Sequence, residues 1–109
     1  MVKFMITFST PANLGVFESA YNDLLALVER MPHIERRQVV NVLGSPLGEA
    51  PYYRILEIYI ATVEQMEDSL RSSEGQQTGA ELGRRFTAGK YAAFYAEVFE
   101  EAGGSTPRV

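Results

Sequence analysis

One stretch decides the fold, and it reads Tyr52-Tyr53-Arg54-Ile55-Leu56-Glu57-Ile58-Tyr59-Ile60. It follows Pro51 and is dense in β-branched and aromatic residues, so it predicts a long strand. Side chains alternate across a strand, which places Leu56, Ile58 and Ile60 on one face and Tyr53, Ile55, Glu57 and Tyr59 on the other. The first face is purely apolar, and we expect helices to pack on it. The second face is aromatic with one acid, and we expect another surface to cover it.

The flanking sequence predicts three more strands and a helical segment on either side. Alternation predicts strands over 2–9, 34–43 and 91–100, the first of them central because both of its faces are apolar. Apolar spacing predicts a helix over 14–30 with Asn13 as its N-cap. A capping-box pattern at Thr62 begins the second helical segment, with a break near 72–73 and a continuation over 74–86. This order is the β-α-β-β-α-β arrangement of a ferredoxin-like α+β fold with a four-stranded antiparallel sheet.

Composition argues against several classes of partner and of site. The net charge of -4 and the absence of a clustered basic patch argue against a nucleic-acid partner. The chain has no cysteine, which excludes disulfides, thiolate metal sites and cysteine nucleophiles. No signal segment is recognisable, and no apolar run approaches the roughly 20 residues that span a bilayer. We expect a cytoplasmic protein with no membrane partner, built as one domain over 1–102 with a flexible tail over 103–109.

The second sheet face predicts the assembly. Helices cover only one face of such a sheet, and the other would carry Tyr53, Ile55, Tyr59, Tyr91, Tyr95 and Phe99. Monomers rarely expose an apolar patch of that size. A two-fold dimer in which the sheets face each other would cover the patch and enclose a cavity. We therefore predict a homodimer.

The order and spacing of several short segments indicate a family resemblance. The segments are Met1-Val2-Lys3-Phe4-Met5, Phe17 with Tyr21, Gly44-x-Pro46, Pro51-Tyr52-Tyr53-Arg54-Ile55, Leu56-Glu57-Ile58-Tyr59, Ser73-Glu74-Gly75-Gln76 and Ala96-Glu97-Val98. In order and spacing, from residue 1 to about 99, they resemble the EthD family of dimeric α/β-barrel proteins, named after a bacterial system that degrades ethyl tert-butyl ether. The resemblance implies the fold and a dimer with an enclosed pocket. Relatives include polyketide cyclases, dehydratases and small oxidoreductases or monooxygenases, so it implies much less about chemistry.

One departure from the family concerns the first helix. The family usually continues there to a His-x-Pro-Leu segment facing the cleft, whereas this chain has Leu25 at the histidine position and Leu27-Val28 in place of Pro-Leu. The ring that would transfer a proton near neutral pH is therefore missing. No catalytic histidine is carried over from the family. The single histidine, His33, follows Met31-Pro32 and is interpreted as a surface turn residue.

Glu57 is the candidate catalytic residue, because an acid among apolar neighbours is desolvated and can act as a general acid or base. The alternative is an ion pair with Arg54, Arg37 or Lys3, or a salt bridge across the dimer. The candidate ligand-binding residues are Tyr53, Ile55, Tyr59, Tyr91, Tyr95, Glu97 and Phe99. No metal site and no cofactor are predicted.

Three functions remain open from the sequence. The first is a binding module for a small apolar or aromatic molecule, held between sheet and helices or against the partner subunit. The second is a cofactor-free oxidoreductase, monooxygenase or polyketide-cyclase-like enzyme acting on such a molecule. The third is a purely structural dimer with a collapsed core.

Overall fold

The structure, a computed structural model, describes residues 1–100. Its elements in chain order are β1 (Val2–Phe8), α1 (Leu14–Val28), β2 (Ile34–Asn41), β3 (Arg54–Ile60), α2 (Val63–Arg71), α3 (Ser73–Arg85) and β4 (Tyr91–Glu97). The strands form one antiparallel sheet in the order β2-β3-β1-β4, so the predicted ferredoxin-like fold and the central position of β1 are confirmed. The predicted tail over 103–109 lies outside the described residues.

The predicted strands and the first helix extend one to three residues too far. β4 ends at Glu97 rather than at residue 100, and β2 ends at Asn41 rather than at residue 43. β3 begins at Arg54, because Tyr53 lies in a bend and not in the ladder. Helix α1 ends at Val28, and a turn follows it before Pro32. These shifts change no element type, but the one at Tyr53 changes the face on which a candidate residue lies.

Local capping fixes the helix boundaries. The Asn13 side chain accepts a hydrogen bond from the Val16 amide, and that of Thr62 accepts one from the Gln65 amide, as predicted. The break between α2 and α3 is also confirmed, but its cap is Ser72 rather than Ser73. Ser72 has an extended backbone, accepts from the Gly75 amide at 3.0 Å, and so ends one helix and begins the next.

The core lies between the sheet and the helices. The predicted apolar face of β3 is fully buried there at Leu56, Ile58 and Ile60. β1 contributes Ile6 and Phe8, and α1 contributes a buried stripe that runs from Phe17 through Tyr21 to Val28. A smaller cluster of Val2, Ile60 and Met66 anchors α2. This packing brings the first turn of α1 and the end of α3 together at the end of β1, where a cavity opens.

Candidate functional site

The cavity has a volume of about 460 Å³ and lies where β1 ends, α1 begins and α3 ends. Its apolar wall comes from three phenylalanines that are far apart in the chain, Phe8, Phe17 and Phe86, together with Val16. The rings contact one another edge-on or tilted, with centroids 5.1 to 5.8 Å apart. The volume lies within the range of pockets that hold drug-sized molecules, about 300–1,000 Å³.

The polar lining of the cavity consists of hydroxyls, one amide and two cations. The uncharged polar residues are Ser9, Thr10, Asn13 and Thr87. Arg85 and Lys90 carry the charges, and no acid or histidine occurs among the described residues that line this space. Arg85 is already neutralised, because its Nη1 lies 2.9 Å from Asp23 and 3.1 Å from Glu81. The lining can therefore bind and orient an apolar molecule, but it supplies no general base.

A clamp between β3 and α1 fixes one wall of the cavity. The two guanidinium nitrogens of Arg54 donate to the Glu18 carboxylate at 2.7 and 2.9 Å, and Nε donates to Asn41 at 2.9 Å. The bidentate bond with Arg54 lowers the pKa of Glu18 below its usual value and raises that of Arg54. The same guanidinium lies 5.4 Å from the centroid of Phe17, so the clamp positions the helix turn that carries this ring.

Tyr21 lies behind this wall and is only 3% exposed. Its ring stacks on Phe17 at 5.8 Å and lies 4.6 Å from the Arg54 guanidinium. Its hydroxyl is buried and has no hydrogen-bond partner among residues 1–100. Burial raises the pKa of the Tyr21 hydroxyl, because the phenolate would be desolvated.

Glu57 lies on the opposite face of the sheet from the cavity, the open face, which no helix among residues 1–100 covers. Its carboxylate accepts from Lys3 at 2.9 Å and from the Tyr59 hydroxyl at 3.1 Å. That hydroxyl also lies 3.2 Å from the Gln38 amide oxygen, and the Arg36 guanidinium stacks 3.9 Å above the Tyr59 ring. Of the alternatives for Glu57, the pair with Lys3 is the one that the structure contains.

Ile55, Glu57 and Tyr59 therefore lie together on the open face, as predicted. Tyr53 does not, because it precedes β3 in a bend. Its hydroxyl donates to Glu18 at 3.3 Å and its ring meets Phe17 edge-on at 5.5 Å, both in α1. Tyr53 also lines a shallower pocket of about 280 Å³ beside the β2–β3 connection.

The prediction for β4 was wrong in its choice of face. Tyr91, Tyr95 and Glu97 pair in register with Phe8, Phe4 and Val2 of β1 and therefore lie on the same side of the sheet as the helices. The open face carries the alternate residues of this strand instead, Ala92, Phe94 and Ala96. The Tyr91 ring packs edge-on against Phe86 but does not itself line the cavity.

The other three candidate residues in β4 and just after it also lie away from the cavity. Tyr95 is 45% exposed, because the helices do not extend over this edge strand. Glu97 is exposed at the end of β4, and Phe99 lies beyond the strand with 79% of its surface exposed. The cavity is therefore lined neither by Ile55, Glu57 and Tyr59 of the open face nor by these three residues.

The remaining sequence predictions concern His33 and Leu25, the residue at the position where the family has a histidine. His33 is an exposed turn residue, as predicted, and its Nε2 lies 2.8 Å from Asp68 in α2. Its backbone is left-handed, with φ of 72°. Leu25 packs against the apolar core. Residues 1–100 bring no three potential metal ligands together, and no helix among them has the length and hydropathy to cross a membrane.

The sequence did not identify the cavity. Phe17 and Phe86 stand within predicted helices, where apolar spacing does not distinguish a core ring from a ring that lines a cavity. The available signal was that apolar rings stood at the end of β1, in the first turns of α1 and at the end of α3. The ferredoxin-like order of elements brings those three points to one end of the domain.

Comparison with solved structures gives this geometry a context. The chain is similar to an ethyl tert-butyl ether D (EthD) family protein of Bacillus halodurans, with 25% identity, a TM-score of 0.84 and coverage of 91% of this chain and 99% of that one. The resemblance to the EthD family predicted from the sequence is thereby confirmed. No protein-family model and no curated protein sequence matches the chain.

Two more distant structures share the fold. SnoaB, a cofactor-independent oxygenase of Streptomyces nogalater, is 13% identical with a TM-score of 0.64, covering 94% of this chain and 96% of that one. A dimeric ferredoxin-like protein of unknown function from Thermobifida fusca is 11% identical with a TM-score of 0.64, covering 89% and 90%. At these identities the likeness concerns architecture alone.

Proposed function

Since this chain resembles an EthD family protein in fold and in sequence over nearly its whole length, we propose that it is a homodimeric binding protein for a small apolar or aromatic molecule. The observation that carries the proposal is the cavity of about 460 Å³ walled by Phe8, Phe17 and Phe86. Its rings supply apolar area, and its hydroxyls supply hydrogen bonds that orient a ligand.

The proposed binding is tested by filling the cavity from its solvent side. Val16 lines the cavity but is 63% exposed, so replacing it with Trp adds bulk without disturbing the core. Leu14 lies in the same first turn of α1, is 54% exposed and does not line the cavity. The variant Leu14→Trp is therefore the matched control. The probe is N-phenyl-1-naphthylamine, a neutral aromatic compound whose fluorescence rises in apolar surroundings.

We expect saturable binding to the unmodified protein and to Leu14→Trp, and its loss in Val16→Trp at an unchanged melting temperature. Binding that survives Val16→Trp would place the ligand elsewhere and overturn the proposal. Native mass spectrometry of the freshly purified protein adds a second readout, because a retained small molecule should be present in the unmodified protein and absent from Val16→Trp.

The dimer is proposed on the open face. That face combines the Lys3–Glu57 pair with apolar side chains such as Met5, Ile55 and Phe94, and none of the helices in the described part of the chain covers it. Two copies meeting there would bury the apolar side chains, which is how a two-fold interface covers a self-complementary patch. The Thermobifida fusca structure described as dimeric supports the proposal by its shared fold.

Two adjacent residues of β4 make the dimer testable. Phe94 is on the open face and is 46% exposed, whereas Tyr95 is on the helix face and is 45% exposed. Phe94→Asp should give a monomer by light scattering at micromolar concentration, because it would bury a charge in the interface. Tyr95→Asp should remain a dimer. A monomeric unmodified protein, or equal behaviour of the two variants, would contradict this interface.

A cofactor-free oxidoreductase, monooxygenase or polyketide-cyclase-like enzyme is the second candidate function, favoured by the shared fold with SnoaB. It would act on the same class of molecule, with Glu57 as the proposed acid or base. Glu57→Gln tests it, with Lys3→Met as the control that breaks the same ion pair but keeps the carboxylate. If Glu57 is catalytic, turnover should fall in Glu57→Gln and persist in Lys3→Met. Equal turnover in the two variants would mean that Glu57 is a structural residue.

A further inference from the structure

We infer that the cavity selects aromatic molecules that carry a negatively charged group, with Lys90 as the residue that recognises the charge. The inference rests on the proposed function, because it names the class of ligand that the same cavity would take. Its starting point is the sign of the charges around the cavity. Both charged residues of the lining are basic, in a chain whose net charge is -4.

The two cations of the lining are not equivalent. Arg85 is held by Asp23 at 2.9 Å and by Glu81 at 3.1 Å, so two carboxylates already balance its charge. Lys90 forms no ion pair among residues 1–100. An anionic ligand would therefore meet one uncompensated ammonium, and its binding would displace no existing partner of that group.

The backbone around Lys90 holds it at the cavity. Its amide donates to the Thr87 carbonyl at 3.0 Å, which closes the turn after α3, and Gly89 supplies the left-handed conformation that this turn needs, with φ of 83°. The Lys90 carbonyl accepts from the Ser9 amide at 2.9 Å, which ties the turn to the end of β1. The Lys90 backbone is therefore held in place beside the aromatic wall.

The amino end of helix α1 also contributes positive charge at the cavity. Helix α1 begins at the cavity, where Asn13 and Val16 contribute to the lining, and its first turn contains no acidic residue. The amino end of a helix carries a partial positive charge, which this turn leaves unopposed. The amino end of α1 and Lys90 therefore contribute charge of the same sign to the lining of the cavity.

The test uses two probes with the same aromatic body. 1-Anilinonaphthalene-8-sulfonate carries one negative charge, and N-phenyl-1-naphthylamine is the neutral parent. We expect the unmodified protein to bind the sulfonate about fivefold more tightly than the neutral probe, the size of a partly exposed charge pair, and salt at about 0.5 M to reduce that preference.

Three variants assign the preference to Lys90. Lys90→Met should abolish it by weakening the sulfonate alone, whereas Lys90→Arg should retain it. Arg71→Met removes the same charge from an exposed position at the end of α2, outside the cavity, and should leave the preference intact. Circular dichroism of each variant checks that the fold is unchanged.

The outcomes separate this inference from the proposed function. Equal affinity of the two probes for the unmodified protein, or a preference that survives Lys90→Met, would overturn the role of Lys90 while leaving the cavity a binding site. If neither probe bound, or if Val16→Trp failed to block them, the proposed function would fall and the inference with it.

Discussion

Replacing Tyr21 with Phe is expected to raise the free energy of unfolding by about 1 kcal/mol. The Tyr21 hydroxyl is buried without a hydrogen-bond partner among residues 1–100, and burial of such a group costs about 1–3 kcal/mol. The substitution removes this cost, keeps the ring that stacks on Phe17, and leaves only the small space of one oxygen atom. A gain of about 1 kcal/mol corresponds to a rise in melting temperature of roughly 4–8 °C for a domain of this size.

The matched control is the same substitution at Tyr59. This tyrosine is also buried, with 7% of its surface exposed, but its hydroxyl donates to the Glu57 carboxylate at 3.1 Å. A hydrogen bond to a charged group contributes about 1.5–3 kcal/mol, and Lys3 would continue to stabilise the acid after its loss. Tyr59→Phe should therefore lower the free energy of unfolding by about 1–2 kcal/mol, opposite in sign to the change at Tyr21.

Urea denaturation and thermal melting followed by circular dichroism measure both variants. The protein concentration must be the same throughout, because the stability of the proposed dimer would depend on it. A loss of more than about 1 kcal/mol in Tyr21→Phe would refute the reasoning, since it would mean that the hydroxyl makes a hydrogen bond in solution. Equal losses in the two variants would likewise show that the two hydroxyls are not differently satisfied.

Two further predictions concern the clamp and the helix break. Because the folded-state pKa of Glu18 is lowered by its bond with an arginine of β3, the pair stabilises the fold above the unfolded pKa and loses its contribution as pH falls through the folded value. Denaturation midpoints between pH 7 and pH 2.5 should thus fall less steeply for Glu18→Gln than for the unmodified protein, and parallel curves would contradict the clamp. Gly75→Ala should unfold the protein at room temperature, because the added carbon would overlap the backbone carbonyl oxygen of Ser69. Gly79→Ala, in open space on the same helix, should instead gain about 0.5–1 kcal/mol by thermal melting, and similar stabilities of the two alanine variants would disprove the close packing at Gly75.

The sequence predicted those parts of the fold that depend on local pattern. The β3 stretch has one purely apolar face, so its orientation toward the helices followed from alternation, and the structure buries Leu56, Ile58 and Ile60 accordingly. The helix break near Ser72 followed from capping chemistry, with an error of one residue because two adjacent serines offer the same side chain.

The face of β4 could not be predicted in the same way. Both of its faces are apolar or aromatic, so alternation alone does not choose between Tyr95 and Phe94 for the open face. The choice is made by the pairing of Phe94 with Met5 and of Tyr95 with Phe4 in β1, which is a long-range contact. The cavity depends on long-range packing too, because Phe8, Phe17 and Phe86 converge only after the sheet and helices have assembled.

The two parts of the proposed function lie on opposite faces of one sheet, and this separation governs how they can be tested. Strand β3 serves both, since Arg54 on the helix face fixes the cavity wall while Glu57 on the other face joins the network of the proposed interface. No residue of the open face lines the cavity, so a change confined to that face leaves the aromatic wall in place. Ligand binding and dimer formation can accordingly be removed one at a time. Because no acid lines the cavity among residues 1–100, chemistry on a molecule bound there would need a group from outside its lining. Glu57 lies across the sheet from the cavity, so it would act only on a molecule held between the two open faces.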